Sequence, residues 1–186
     1  MKYIKKVIGS RVYLSPLCVE DADIYTKWHN DPEVGVNYGS YPYSHTIGRT
    51  KKDLENEKYS DWDEDFAIVL HENDTPIGMI SVFEKSGVYR SAYMALAIGE
   101  AEWRGKGIGK EAVTLLLGYA FDTLNLHNMA LYVYSRNTIA TRLYKGLGFT
   151  EGGRLRQRVF NRGQYDDIIF MDILEDEYRQ MRTAAH

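Results

Sequence analysis

A single cysteine, Cys18, occurs in 186 residues, so neither an internal disulfide nor a cysteine-rich metal site is available. No histidine is marked out as its partner, and the thiol reads as a small packing group rather than a nucleophile. The five histidines, His29, His45, His71, His127 and His186, lack ligand spacing such as H-x-x-x-H, and no metal is expected. Charge of one sign is also missing. Twenty-three Lys and Arg face 26 Asp and Glu, a net of −3, which leaves no bulk field for gripping a nucleic-acid duplex. A local basic cluster remains able to hold a phosphorylated small molecule. Long apolar runs are absent, and the most apolar window, Ala112 to Phe121, is far below membrane-spanning length. The apolar stretch after Lys2, Lys5 and Lys6 breaks at Gly9-Ser10-Arg11, too soon for a signal peptide. The expectation is a cytoplasmic protein with no membrane partner. No Pro/Ser/Gly-rich linker and no repeat interrupts the chain, which reads as one domain over residues 1–186.

What is present is ordinary for a globular chain, 44% apolar and 26% charged. Arg11 to Leu17 reads as a first strand and Glu20 to His29 as a helix ended by Asn30-Asp31-Pro32. Gly35 to Ser44 reads as a Tyr- and Gly-rich loop, followed by a polar helix from about Thr46 to Tyr59. Phe66 to Leu70 and Ile77 to Phe83 flank a polar turn and predict a hairpin, with a further strand over Ser91 to Ile98. The strongest helix carries Val113, Leu116, Leu117, Ala120, Phe121 and Leu124 on one stripe. Met129 to Tyr134 is the next strand. Asn137 is a natural N-cap for a helix with Ile139, Ala140, Leu143, Tyr144 and Leu147 on its stripe, and Gly148 suits the end of that segment. Phe149 to Arg154, a turn at Asn161-Arg162-Gly163 and a long strand through Ile168 to Leu174 follow. Several antiparallel strands with interposed helices predict an α+β domain.

The chemically informative stretch is Arg104-Gly105-Lys106-Gly107-Ile108-Gly109-Lys110, lying between a strand and the strongest helix. Glycines on alternate positions let backbone N–H groups approach an anion, the helix start adds the positive end of its dipole, and Arg104, Lys106 and Lys110 add charge. A diphosphate suits this set. Two nucleotide motifs fail. A Rossmann G-x-G-x-x-G would need glycine where Lys110 stands, and a Walker A loop would need glycine at Arg104 and Ser or Thr at Glu111. An ATP-dependent phosphotransferase is thereby disfavoured.

Arg104 to Gly109 resembles the R/Q-x-x-G-x-G/A pyrophosphate loop of the GNAT superfamily of acetyl-CoA-dependent N-acetyltransferases. Asn137-Thr138-Ile139-Ala140, Leu143-Tyr144 and Gly148-Phe149 resemble that family's N-x-x-A-x-x-L-Y-x-x-x-G-F segment, in the family's order and at its usual separation. The likeness extends from Arg11 to about Leu174. Asn30-Asp31-Pro32, Leu124-Asn125-Leu126-His127 and Gly163-Gln164-Tyr165 bring it nearest to the spermidine and ribosomal-protein N-terminal acetyltransferase branch. The resemblance implies a mixed, mostly antiparallel central sheet flanked by helices. It also implies acetyl-CoA as co-substrate, a small-molecule or peptide amine as acceptor, and a possible homodimer.

Residue roles follow from the same resemblance. Arg104, Gly105, Lys106, Gly107, Ile108, Gly109 and Lys110 would hold the pyrophosphate. Leu96-Ala97-Ile98 would pair with the pantetheine arm, and Asn137 and Ala140 would contact the cofactor. Tyr144 would act as general acid to the leaving thiolate in a ternary complex, since a phenol is a donor at neutral pH. An alkylamine is mostly protonated at pH 7, so a carboxylate must take its proton directly or through water. Glu84 is the first candidate, followed by Glu33 and Glu100.

The family's spermidine enzymes carry acids in the loop between the first two helices. The matching stretch here is Tyr38-Gly39-Ser40-Tyr41-Pro42-Tyr43, without one, which counts against spermidine. Glu33, Tyr38, Tyr41 and Tyr93, with Tyr43 and Tyr89, are the acceptor-side candidates, and aromatic edges suit a peptide N-terminus, an amino sugar or an aromatic amine. The competing reading is a non-catalytic acyl-CoA sensor on the same fold, which would have no need of Tyr144.

Overall fold

In the computed structural model, residues 2–38, 43–55, 64–161 and 163–184 are described. They form β1 (Val7–Ile8), β2 (Val12–Pro16), α1 (Ala22–Asn30), α2 (Pro32–Tyr38), α3 (Ile47–Glu55), β3 (Glu64–Leu70), β4 (Pro76–Ser86), β5 (Ser91–Ile98), α4 (Ile108–Asp122), β6 (Asn128–Tyr134), α5 (Thr138–Lys145), β7 (Thr150–Asn161), β8 (Gln164–Leu174) and α6 (Glu175–Ala184). The strands form one mixed sheet in the order β1-β2-β3-β4-β5-β6-β8-β7. β5 runs parallel to β6, while the β1–β2, β2–β3, β3–β4, β6–β8 and β7–β8 ladders are antiparallel. This is the α+β, mostly antiparallel architecture expected from the sequence.

The chain divides into two compact units, Met1–Glu84 with Ala95–Leu116, and Lys85–Met94 with Leu117–His186. In the first, β2 and β3 are apolar on successive residues because both faces are covered: Val12, Tyr13, Leu14, Ala67, Ile68 and Val69 are all fully buried. Tyr25 and Trp28 of α1 pack with Val34 of α2, Met79 of β4 and Ala97 of β5. The Trp28 indole lies so close to Gly99 that a Cβ there would sit 2.2 Å from its ring. Trp28 Nε1 donates to Glu100 Oε1 at 2.9 Å, giving the buried indole the partner its N–H requires.

In the second unit, Met129, Leu131 and Val133 of β6 and Ile169, Met171 and Ile173 of β8 are buried on alternate positions, the period of a pleated strand. α5 is capped as expected, the Asn137 side chain accepting from Ala140 N at 3.1 Å. Phe121 of α4 and Tyr178 of α6 meet at 5.1 Å between ring centroids.

Three expectations need correction. Gly35 to Tyr38 is helix rather than loop. Pro32 does end α1, but as the first residue of α2 its missing N–H costs nothing, and Asp31 accepts from Glu33 N at 2.8 Å to start the new turn. The expected segment Phe149 to Arg154 is, from Thr150 on, the start of a longer strand, β7, that continues to Asn161. Helix α6, which follows β8, was not foreseen, since its residues are largely polar. The outer end of the expected helix over 46–59 lies outside the described residues, as does Tyr41. No helix of the described residues is long and apolar enough to cross a membrane.

Candidate functional site

The glycine-rich loop folds in the first unit as its composition requires. Gly105 (φ +72°) and Gly107 (φ +81°) both adopt the left-handed region, where a side chain is strained. α4 begins at Ile108, whose side chain is fully buried and anchors the turn. Glu111 N donates to Gly107 O at 3.2 Å, so the amides of Ile108, Gly109 and Lys110 precede the helix's own hydrogen-bond ladder, as in any first turn. Lys110 is exposed, and Lys106 is exposed with Nζ 5.0 Å above the Trp103 ring.

The loop is tied to the start of the chain. Glu111 Oε1 accepts from Ser10 N and Arg11 N, both at 2.8 Å, and Oε2 accepts from Arg11 Nε at 2.9 Å. Arg11 Nη1 donates to Lys106 O at 2.9 Å. Burial works against the Glu111 charge, but the hydrogen bonds from Arg11, Val12 and Ser10 outweigh it and hold the carboxyl below its ordinary range. Glu111, noticed in the sequence only as a departure from Walker A, therefore fixes the loop. Its partners lie about a hundred positions away, beyond the reach of any local pattern.

Arg104 has a different setting from the one anticipated. Its guanidinium donates to Ile98 O (3.0 Å), Gly99 O (2.7 Å), Glu33 Oε2 (2.6 Å) and Asp31 Oδ2 (3.3 Å). It thus joins the end of β5 to the start of α2, and Glu33, a base and acceptor candidate, is its ion-pair partner. Glu100 is likewise occupied, accepting from Lys27 and Trp28, which lowers its pKa against the opposing effect of burial. Glu84 is exposed and left-handed (φ +51°) on β4. Leu96, Ala97 and Ile98 close β5. The β5–β6 register covers Ser91–Tyr93 against Asn128–Ala130.

In the second unit, Tyr144 lies on α5 beside Ala140 and is only 6% exposed. The Phe149 ring meets it edge-on, with centroids 5.5 Å apart, and Phe149 N donates to Tyr144 O at 3.0 Å. Burial pushes the phenol well above its ordinary pKa, so it keeps its proton at neutral pH. Tyr93 is half-buried on β5 and Tyr89 is exposed in the turn before it.

Of the acceptor candidates in the first unit, Tyr43 is exposed while Tyr38 is half-buried, its hydroxyl 3.2 Å from Ser81 Oγ. Tyr38 lines a cavity of about 170 Å³ together with Tyr25, His29, His45, Asp53 and Asp65, among others. The His29 and His45 rings stack at 4.6 Å. Burial, reinforced by His45 and Arg49, lowers the His29 pKa to about 4.

Residues 11–150 match the acetyltransferase (GNAT) domain family. The chain belongs to the GNAT acetyltransferase family. Among curated relatives of this GNAT protein, spermidine N(1)-acetyltransferase of Escherichia coli K12 is 30% identical over 167 residues, covering 90% of this chain and 88% of that enzyme. Spermidine N(1)-acetyltransferase of Vibrio cholerae is 36% identical over 102 residues, 55% of this chain and 58% of that enzyme. The crystal structure of spermidine N-acetyltransferase from Vibrio cholerae in complex with CoA and spermine superposes with a TM-score of 0.85 at 26% identity, covering 92% of this chain and 99% of that one. The protein is accordingly an acetyl-CoA-dependent N-acetyltransferase.

For a GNAT enzyme the loop of the first unit suits the diphosphate of acetyl-CoA chemically: a glycine turn open to an anion with lysines beside it. No group of three or more His, Cys, Asp or Glu side chains suited to a metal occurs among the described residues.

Proposed function

We propose that this GNAT enzyme transfers the acetyl group of acetyl-CoA directly to the primary amine of a small cationic acceptor, in a ternary complex. The observation that carries the reading is the left-handed pair Gly105 and Gly107 running into the start of α4. Here the amides of Ile108, Gly109 and Lys110, with the charges of Lys106 and Lys110, receive the pyrophosphate. Arg104 supports this loop from behind rather than contacting the phosphates, because four acceptors already engage its guanidinium. Leu96-Ala97-Ile98 offers strand backbone to the pantetheine arm, and Asn137 and Ala140 contact the cofactor from α5.

In the transfer the neutral amine nitrogen attacks the thioester carbonyl, the N–C bond forms and the C–S bond breaks. The departing thiolate takes the Tyr144 proton, the proton lost by nitrogen passes to an exposed carboxylate, for which Glu84 is the candidate, and on to water, and the Tyr144 phenolate regains a proton from solvent before the next turnover. The names of the spermidine-acetylating relatives support an aliphatic amine over a peptide, sugar or aromatic acceptor.

Calorimetry with acetyl-CoA tests the loop. Native protein is expected to bind and Gly107→Trp to lose binding, since the new side chain meets a left-handed backbone in the anion's path. Equal binding by both removes the loop from the cofactor site. Thiol release with an amine panel then reads out transfer.

A further inference from the structure

We infer that Arg11 is a positioning residue for acetyl-CoA binding: from just before β2 it holds the Lys106 carbonyl outward, so that Gly107 N–H faces the pyrophosphate. The inference rests on the cofactor reading of the loop above. It adds a residue that selects the binding-competent shape of the loop without touching the cofactor.

The glycines permit this turn but do not select it. Gly105 and Gly107 are left-handed, whereas Lys106 and Ile108 are not, and such alternation turns successive N–H groups into one concavity. Glycine adopts either hand at little cost. The peptide joining Lys106 to Gly107 is therefore free, by itself, to rotate and present its carbonyl oxygen where an anion must sit.

Arg11 removes that freedom. Its Nη1 donates to Lys106 O at 2.9 Å, and across a planar trans peptide the Gly107 N–H must then point the opposite way. Gly107 N has no acceptor among the described residues, which leaves it open to a ligand beside the amides of the α4 start. A Cβ on Gly107 would lie 3.4 Å from Arg11 Nη2, so the guanidinium packs against this residue as well as bonding its neighbour.

The guanidinium is itself held. Glu111 Oε2 accepts from Arg11 Nε at 2.9 Å, and Oε1 of the same carboxylate accepts from Arg11 N at 2.8 Å. Main chain and side chain thus share one anchor, and because the fork is planar, fixing Nε aims Nη1. The Arg11 side chain is 51% exposed, yet it stays on the loop because both acceptors lie on it or on the helix it begins. Paired with Glu111, the guanidinium adds little net charge to the turn, and its contribution is to geometry. A lysine ammonium lacks the planar fork that reaches both acceptors. Arg11 stands 95 positions before Lys106, so the sequence shows it only as the edge of a strand.

Calorimetry with acetyl-CoA on Arg11→Ala and Arg11→Lys tests the inference. Arg11→Ala is expected to bind about tenfold more weakly or worse, and Arg11→Lys, which keeps the charge, to lose most of the same affinity. Methylguanidinium, which refills the place between Glu111 and Lys106 O, should restore acetyl-CoA binding to Arg11→Ala, whereas methylammonium at equal concentration should not. Restoration also shows that the variant is folded, which general damage to the fold would not allow. Unchanged affinity in Arg11→Ala, full retention in Arg11→Lys, or a loss that methylguanidinium leaves in place overturns the inference. The two readings fail distinguishably. Native protein that does not bind acetyl-CoA sinks the cofactor reading and this inference with it; native binding lost in Gly107→Trp but kept in Arg11→Ala sinks this inference alone.

Discussion

Tyr144 and His29 show how burial sets the proton state of a side chain, in opposite directions. Removing the Tyr144 phenol from water disfavours phenolate, so the group enters any reaction as a proton donor. Tyr144→Phe is expected to keep acetyl-CoA affinity and lower turnover by about 10²- to 10⁴-fold, measured by thiol release; unchanged turnover would exclude it from the chemistry. Burial of His29 disfavours imidazolium, lowering its pKa from 6.5 to about 4. The unfolded chain then binds more protons than the native one between those values, so stability should fall as pH drops from about 6.5 toward 4 and level off below. Denaturant unfolding at several pH values checks this, with His29→Gln expected to flatten the slope in that window. The place of Tyr144 on the helix after the Asn137 cap was legible in the sequence. The setting of His29 was not, because its neighbour His45 stacks on it from beyond an intervening helix.

Among the elements, those with strong local signals came out much as their residues predict. The apolar stripe of α4, the alternation in β6 and the Asn137 cap each depend on neighbours a few positions away. Asn137→Ala should lower stability by about 1 kcal/mol, read from the denaturation midpoint. Gly105→Ala should cost about 1–2 kcal/mol through its left-handed backbone, without the steric block that Gly107→Trp imposes. Where the reading failed, two local rules competed. Asn30-Asp31-Pro32 is a helix stop, yet proline is also well suited to a first helical position, and packing of Val34 against Tyr25 and Trp28 decided for α2. α6 escaped because its apolar anchor is chiefly Tyr178, which packs on Phe121, rather than a stripe of its own.

At the scale of the whole molecule, long-range polar contacts position the chemistry. Glu111 gathers Ser10, Arg11 and Val12, and Arg11 in turn holds the loop carbonyl of Lys106. Glu111→Ala would leave those amides without their carboxylate, at a cost of about 2–3 kcal/mol, and should weaken acetyl-CoA binding while Tyr144 stays in place. Because the folded carboxyl titrates below its ordinary 4.5, this contribution is present above that value and lost as pH falls through the lowered one. An unfolding series from pH 6 to 3, native against Glu111→Ala, should show the difference shrinking with acid.

The amino-acid sequence by itself determined the mixed α+β order, the glycine turn with its helix start, and the placement of Tyr144 behind an N-capped first turn. Each of these is written in side chains within one or two turns of one another, where backbone sterics and periodic burial act locally. Only the tertiary structure decided that Arg104 braces α2 and that Glu111 clamps the loop. It alone brought Asp53 and Asp65, from separate elements, to face one cavity. Charges find partners by distance in space, and folding joins residues whose separation along the chain carries no local signal.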